Sequence, residues 1–119
     1  IYSKEIMILT KKNLINSCAH ITGGGLIENL LRSVPKKLSV NIDLSKIKIL
    51  KIFKWLKTKK ISENEMMKTF NCGIGFCLIT SKKNVEKIKK YFSKEYTPYE
   101  IGYVSKNKKN VNLFNSIKW

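Results

Sequence analysis

Arginine and histidine are almost missing from this chain. Of its 24 basic residues, 23 are lysine and one, Arg32, is arginine; the single histidine is His20. No apolar run approaches the roughly 20 residues that a membrane-spanning helix needs, and no signal peptide is visible. No membrane partner is therefore expected, and a cytoplasmic location is. Three cysteines, Cys18, Cys72 and Cys77, form an odd number without CxxC spacing, and only one histidine could join them. That set suits neither a zinc site nor a secreted disulfide framework, so packed, reduced thiols are expected and no metal is assigned. The chain opens at Ile1 without a methionine or a transit-like leader, so a piece excised from a longer polypeptide is expected.

Acidic residues are also scarce, eight in all, and the formal net charge is +16. Such a surface attracts phosphate backbones, and a basic α+β nucleic-acid-binding module is the rival reading. The lysine-flanked helix that carries Phe53 and Trp55 supports it. Against it stands the shortage of arginine, the residue that reads guanine with a planar fork. The lysines come with 16 isoleucines and 11 asparagines. This joint enrichment is what A- and T-rich codons produce, so most lysines are read as solvated faces and no nucleic-acid partner is expected.

With 119 residues, 43% hydrophobic and 27% charged, the chain is long enough to bury a core as about one domain. Residues 1 to 14 begin extended or helical and end in a polar turn around residues 11 to 13. Residues 18 to 22 read as a strand running into glycines. Leu26, Ile27, Leu30, Leu31 and Val34 have helical spacing, closed by Pro35. Residues 38 to 42 alternate as a strand. Ile49, Ile52, Phe53 and Leu56 predict an amphipathic helix whose aromatics belong to the core. Ser62 and Glu65 have capping-box spacing, which predicts a helix over residues 63 to 69. Residues 73 to 80 read as a strand, and Val85, Ile88 and Phe92 as a helix capped by Ser81. Residues 99 to 104 read as a strand, and residues 106 to 112 as a polar turn. Together these predict an α+β fold, a mixed β-sheet covered by helices.

The stretch from residue 19 to residue 32, AHITGGGLIENLLR, collects His20, Arg32 and three of the six glycines. A strand, a glycine turn and a helix suit an anion, because glycine lets a ligand approach backbone N–H groups closely. Thr22 adds a hydroxyl, His20 can exchange a proton near neutral pH, and Arg32 can fork onto a phosphate. The bland alternative is a sharp turn with Arg32 paired to a surface acid. Glu28 is explained by the helix dipole, and Glu65 by its capping box. A lone arginine among lysines favours a need for guanidinium geometry. The stretch from residue 70 to residue 75, FNCGIG, has a similar look.

These residues resemble the signature of aminoimidazole ribonucleotide (AIR) synthetase, the phosphoribosylformylglycinamidine cyclo-ligase family. The resemblance runs through HITGGGLIEN with Arg32 and Pro35, then Glu65-Met66, residues 69 to 75, and Ile101-Gly102. Ile1-Tyr2 with Lys4 resembles the segment that opens the family's C-terminal domain. Leu31 departs from the pattern, standing where many members have proline.

The resemblance implies that residues 1–119 are the C-terminal domain of the AIR synthetase-like ATP-dependent superfamily, partly ferredoxin-like. The N-terminal domain, with most of the ATP site and the dimer interface, is missing. It further implies ATP-dependent ring closure of formylglycinamidine ribonucleotide, with Mg²⁺, in purine biosynthesis. ATP and Mg²⁺ would be held mainly by the missing domain, and the isolated chain would be inactive. The expected partners are formylglycinamidine ribonucleotide, ATP, the chain's own N-terminal domain and, in the full-length enzyme, a second copy as a homodimer. The implied site residues are His20 for proton transfer; Thr22, Gly23, Gly24, Gly25, Asn29 and Arg32 for substrate or phosphate; and Asn71, Gly73 and Gly75 lining the cleft. A sister enzyme acting on selenophosphate or thiamine phosphate is made unlike this chain by the paired HITGGG and FNCGIG motifs.

Overall fold

Asn13 shows how tightly this chain controls its helix ends. In the computed structural model, which describes residues 3–119, helix α1 (Ser3–Lys11) stops where Asn13 takes a φ of 55°. Asn13 N–H then donates to Thr10 O and Leu14 N–H to Leu9 O, a pair of returning bonds that satisfies the last carbonyls. The resemblance at Ile1-Tyr2 lies outside the described residues.

The chain divides into two compact units, residues 1–18 with 78–100, and residues 19–77 with 101–119. Strands β1 (Ser17–His20) and β3 (Phe76–Ile79) pair as a two-stranded sheet, and the division falls within both. The first unit holds α1, a 3-10 turn at Lys82–Asn84, helix α5 (Val85–Lys89) and another 3-10 turn at Lys94–Tyr96. Its buried side chains are Leu9 and Ile88, with Val85 and Phe92 half-buried as their spacing predicts. Ser81 departs from expectation. It precedes the 3-10 turn and makes no side-chain cap bond.

In the second unit, helix α2 (Gly25–Leu31) is shorter than its apolar spacing suggests. Beyond it the Ser33 hydroxyl donates to Leu30 O at 2.9 Å, and Pro35 disfavours helical backbone at Val34. Strand β2 (Leu38–Asp43) follows, then a 3-10 turn at Leu44–Lys46, where the Asp43 carboxylate accepts from the N–H and the hydroxyl of Ser45. Helix α3 (Lys51–Lys57) buries none of its residues. Phe53 is half-buried against Phe70, with ring centroids 6.0 Å apart, but Trp55 is 54% exposed. The expectation that both aromatics join the core therefore fails at Trp55. Helix α4 (Glu63–Thr69) has the predicted bounds, and Ser62 Oγ accepts from Glu65 N–H at 3.2 Å. Only half of the capping box forms, because Glu65 Oε1 accepts from Thr69 Oγ instead.

Strands β4 (Gly102–Lys106) and β5 (Asn110–Phe114) flank β2 in the order β4-β2-β5. β4 runs antiparallel to β2 and β5 parallel to it, so the sheet is mixed as expected. The strands form two sheets rather than one. Val40, opposite Val104 and Val111, sits on the buried face with Ile42. The other face carries a polar ladder in which Asn112 donates to Asn41 Oδ1 and Asn41 to Ser105 Oγ. Helix α2 packs against β5 and α4.

Candidate functional site

Alternation along β1 sets up the site. Ala19 and Ile21 are buried, so His20 between them faces solvent. Its imidazole stacks on Phe76 of β3, with centroids 5.8 Å apart and planes 27° from parallel. Just beyond, Ile21 N–H donates to Gly75 O at 3.0 Å. These two contacts bring the HITGGG and FNCGIG motifs side by side.

The three glycines have three different situations. Gly23 is exposed, and a Cβ there would meet nothing. Gly24 takes a φ of 94° directly before α2, and a Cβ there would run into the Glu28 carboxylate. Gly25 is buried at a φ of 74°, and a Cβ there would collide with Met67 O of α4. Its N–H already donates to Thr22 O at 3.1 Å, so Gly25 closes the turn and has no amide hydrogen left for a ligand.

Asn29 determines which way the turn's peptides face. It is only 7% exposed, so its amide must find partners within the protein. Nδ2 donates to Gly25 O at 2.6 Å and lies 3.4 Å from Thr22 O and 3.5 Å from Gly23 O. The Thr22 hydroxyl reaches Asn29 Oδ1 at 3.4 Å. In a trans peptide the C=O of one residue and the N–H of the next point in opposite directions, and the described residues contain no cis bond. With the Thr22 and Gly23 carbonyls turned toward Asn29, the N–H groups of Gly23 and Gly24 point away from it. No bond within the described residues occupies either of them. Successive amides that face the same way are a known means of binding an anion.

Arg32 lies at the far end of α2, exposed and paired with Glu28 across one helical turn at 3.4 Å. The bland alternative for Arg32 thus has a geometric basis. The sequence reading allowed an acid for Arg32 without naming it, although the i,i+4 spacing of Glu28 and Arg32 signals the pair. It missed Phe76 as the partner of His20.

The second motif is a tight turn. Ile74 N–H returns to Asn71 O, Cys72 and Gly73 take φ of 52° and 100°, and Asn71 Oδ1 accepts from Gly73 N–H at 2.9 Å. Asn71 therefore shapes its own turn, and Gly73 lies against Lys48 O and Leu50. Gly75 is the member of this set that meets the first motif. Cys72 is buried and its thiol donates weakly to Met66 O; burial pushes it up to about 11, and Cys77 up to about 12. Cys72 and Cys77 are packed thiols, as expected, but the expectation fails at Cys18, which is exposed on β1. Among the described residues no three of His, Cys, Asp and Glu cluster as metal ligands, and no helix is long and apolar enough to cross a membrane.

Architecture and turn define the class, an α+β domain with a glycine-rich passage from strand to helix. The sequence model described as "AIR synthase related protein, C-terminal domain" matches residues 1–113, and the chain belongs to that family. It is 45% identical over 112 residues to the phosphoribosylformylglycinamidine cyclo-ligase of Ligilactobacillus salivarius (strain UCC118), covering 92% of this chain and 32% of that protein. It is 41% identical over 110 residues to the bifunctional purine biosynthetic protein PUR2,5 of Pichia angusta, covering 91% of this chain and 14% of that protein. Against the human trifunctional purine biosynthetic protein adenosine-3 the figures are 43% over 89 residues, 74% and 9%. The chain thus spans about a third of the length of the monofunctional relative, 32%, and less of the others. These relatives lend the nucleic-acid reading no support.

Proposed function

We propose that this chain is the C-terminal part of an ATP-dependent cyclo-ligase that converts formylglycinamidine ribonucleotide to aminoimidazole ribonucleotide, and that it forms one wall of the substrate cleft. The observation that carries the reading is the outward pair of amides at Gly23 and Gly24, held by Asn29 beside His20. The names of its relatives supply the substrate and the cyclo-ligase activity, and the resemblance in sequence supplies ATP as the phosphoryl donor. In that reaction ATP phosphorylates the formyl oxygen, the ribose-bearing amidine nitrogen attacks the activated carbon, and phosphate leaves.

Within this scheme Thr22, Gly23 and Gly24 contact a phosphate, Gly25 fixes the turn against α4, and Asn29 orients it. Arg32 neutralises ligand charge. His20, exposed and steadied on Phe76, exchanges a proton with the substrate or orients it. Asn71, Gly73 and Gly75 shape the adjoining wall. The chemistry asks mostly for positioning and charge stabilisation, which a preorganised turn supplies.

The donors present do not fit a resident Mg²⁺. Glu28, the acid beside the turn, is paired with Arg32, and no acidic cluster accompanies it among the described residues. Mg²⁺ and most of the ATP contacts are therefore assigned to an N-terminal domain outside this chain, which also makes the homodimer contact. The complete enzyme is cytoplasmic, and the isolated chain folds without catalysing.

The test is turnover in the complete enzyme. His20→Ala is expected to lower kcat by about 10²-fold or more, the scale of general acid–base help. Arg32→Lys, which keeps the charge but loses the fork, is expected to raise KM. Unchanged turnover in both variants contradicts these roles.

A further inference from the structure

Helix α3 and the chain leading into and out of it form a one-sided stretch. Residues 44–62 carry seven lysines and no acid, although Asp43 and Glu63 stand just outside. The bias that enriches lysine also brings asparagine, eleven in all, yet none lies here. Codon composition alone therefore does not account for the stretch. Its apolar residues are unusual too. Leu50, Ile52 and Trp55 are each more than half exposed, and they fall within six consecutive residues. Phe53 and Leu56 are half-buried, so α3 turns that side inward and leaves Ile52 and Trp55, one turn apart, on its outer side. Exposed Lys51 and Lys54 flank them, and Lys59 Nζ lies 5.0 Å from the centre of the Trp55 ring. Single exposed apolar residues are ordinary, but a cluster ringed by one sign of charge marks an interaction surface.

We propose that this face lies on an anionic phospholipid surface, with Leu50, Ile52 and Trp55 entering the headgroup layer and the surrounding lysines meeting lipid phosphates. Charge complementarity selects the occupant. Apolar anchors ringed by cations, with no acid among them, match a layer that is negative outside and apolar beneath. Tryptophan suits that boundary because its ring is apolar and its N–H is polar. A nucleic acid would supply the charge and stack on Trp55, but it has no use for Leu50 and Ile52. The expectation of no membrane partner came from the lack of a spanning run. That lack does not bear on a helix lying in the plane of the surface. With only seven residues in α3, the contact is shallow and reversible, and it weakens with salt. The inference goes beyond the cyclo-ligase reading and does not depend on the glycine turn.

The experiment is co-sedimentation of this chain, and of the complete enzyme, with vesicles of phosphatidylcholine alone or mixed with phosphatidylglycerol. Trp55 emission is read in a Trp119→Phe background. Three double variants are compared with wild type. Ile52→Ser with Trp55→Ser removes two anchors at exposed positions, so the fold is kept. Lys51→Gln with Lys54→Gln removes two charges beside them. Lys36→Gln with Lys37→Gln removes two exposed charges before the start of β2, whereas α3 follows its end. The expected result is that chain and complete enzyme bind the anionic vesicles and not the neutral ones, with a blue shift of Trp55 emission. The first two pairs should each weaken binding about tenfold or more, and the third less than about twofold. Failure to bind either kind of vesicle overturns the proposal. Anionic binding that survives the loss of Ile52 and Trp55, or that the third pair weakens as much as the second, is charge adsorption alone and overturns it too. Binding by the isolated chain but not by the complete enzyme would assign the face to the rest of the polypeptide. Tighter binding to a single-stranded oligonucleotide, with Trp55 quenched by stacking, would assign it to nucleic acid. Either result overturns the proposal.

Discussion

Gly23, Gly24 and Gly25 look equivalent in sequence, and their surroundings make them different experiments. A Cβ on Gly25 would collide with the Met67 carbonyl, a backbone atom that cannot step aside, at a φ that L-residues avoid. Gly25→Ala should therefore destabilise the fold by roughly 2–4 kcal/mol, summing left-handed strain and overpacking. Gly23→Ala meets open space, so its unfolding free energy should stay within about 0.5 kcal/mol of wild type. Urea titration of the two variants decides this. Equal losses would mean that the turn is not packed against α4. The thiols give a second prediction. Burial raises Cys72 to about 11 and Cys77 to about 12, so the folded state binds more protons than the unfolded state at alkaline pH. Their contribution to stability is full below the ordinary thiol range and is lost as pH rises toward those values. Unfolding free energy should fall steadily between about pH 9 and 11, and Cys77→Ala should flatten that slope. A slope that the substitution leaves unchanged would contradict it.

Elements were legible where a local signal agreed with packing. Ser62 announced α4, and the pattern from Leu26 to Leu31 announced α2. Ser62→Ala should cost about 1 kcal/mol, read from the thermal midpoint, whereas Ser81→Ala should cost almost nothing because Ser81 makes no cap bond. Strand β5 escaped notice because Asn110 and Asn112 resemble a polar turn, and asparagine is rare in strands. Its period-2 pattern was present, with Val111 buried, but the strand's partner β2 lies about 70 residues earlier in the chain. The side-chain ladder from Asn112 through Asn41 to Ser105 explains why polar residues belong there. Ile49 to Leu56 shows the opposite failure. Its helical spacing is real, but α3 buries none of its residues and Trp55 remains half exposed. Periodicity specifies a face and says nothing about whether that face is covered.

At the scale of the molecule, the site was legible as a list of residues and not as an arrangement. The glycines, His20 and Arg32 could be picked out from the sequence. That Asn29 gathers three carbonyls, that Gly25 closes the turn and that Glu28 lies over Gly24 depend on contacts the sequence does not display. The surface charge of +16 obscured the matter further, because lysine faces attract any anion. The central claim is that a pair of outward amides in the first motif, next to the second motif, receives the phosphate of a sugar ligand. The most direct measurement is an NMR titration of the chain with ribose 5-phosphate. The account predicts saturable shifts in the amides of Gly23, Gly24 and Gly75 and in the His20 ring. Shifts confined to the lysine-bearing surfaces of α3 and α5, with those four positions unmoved, would contradict it.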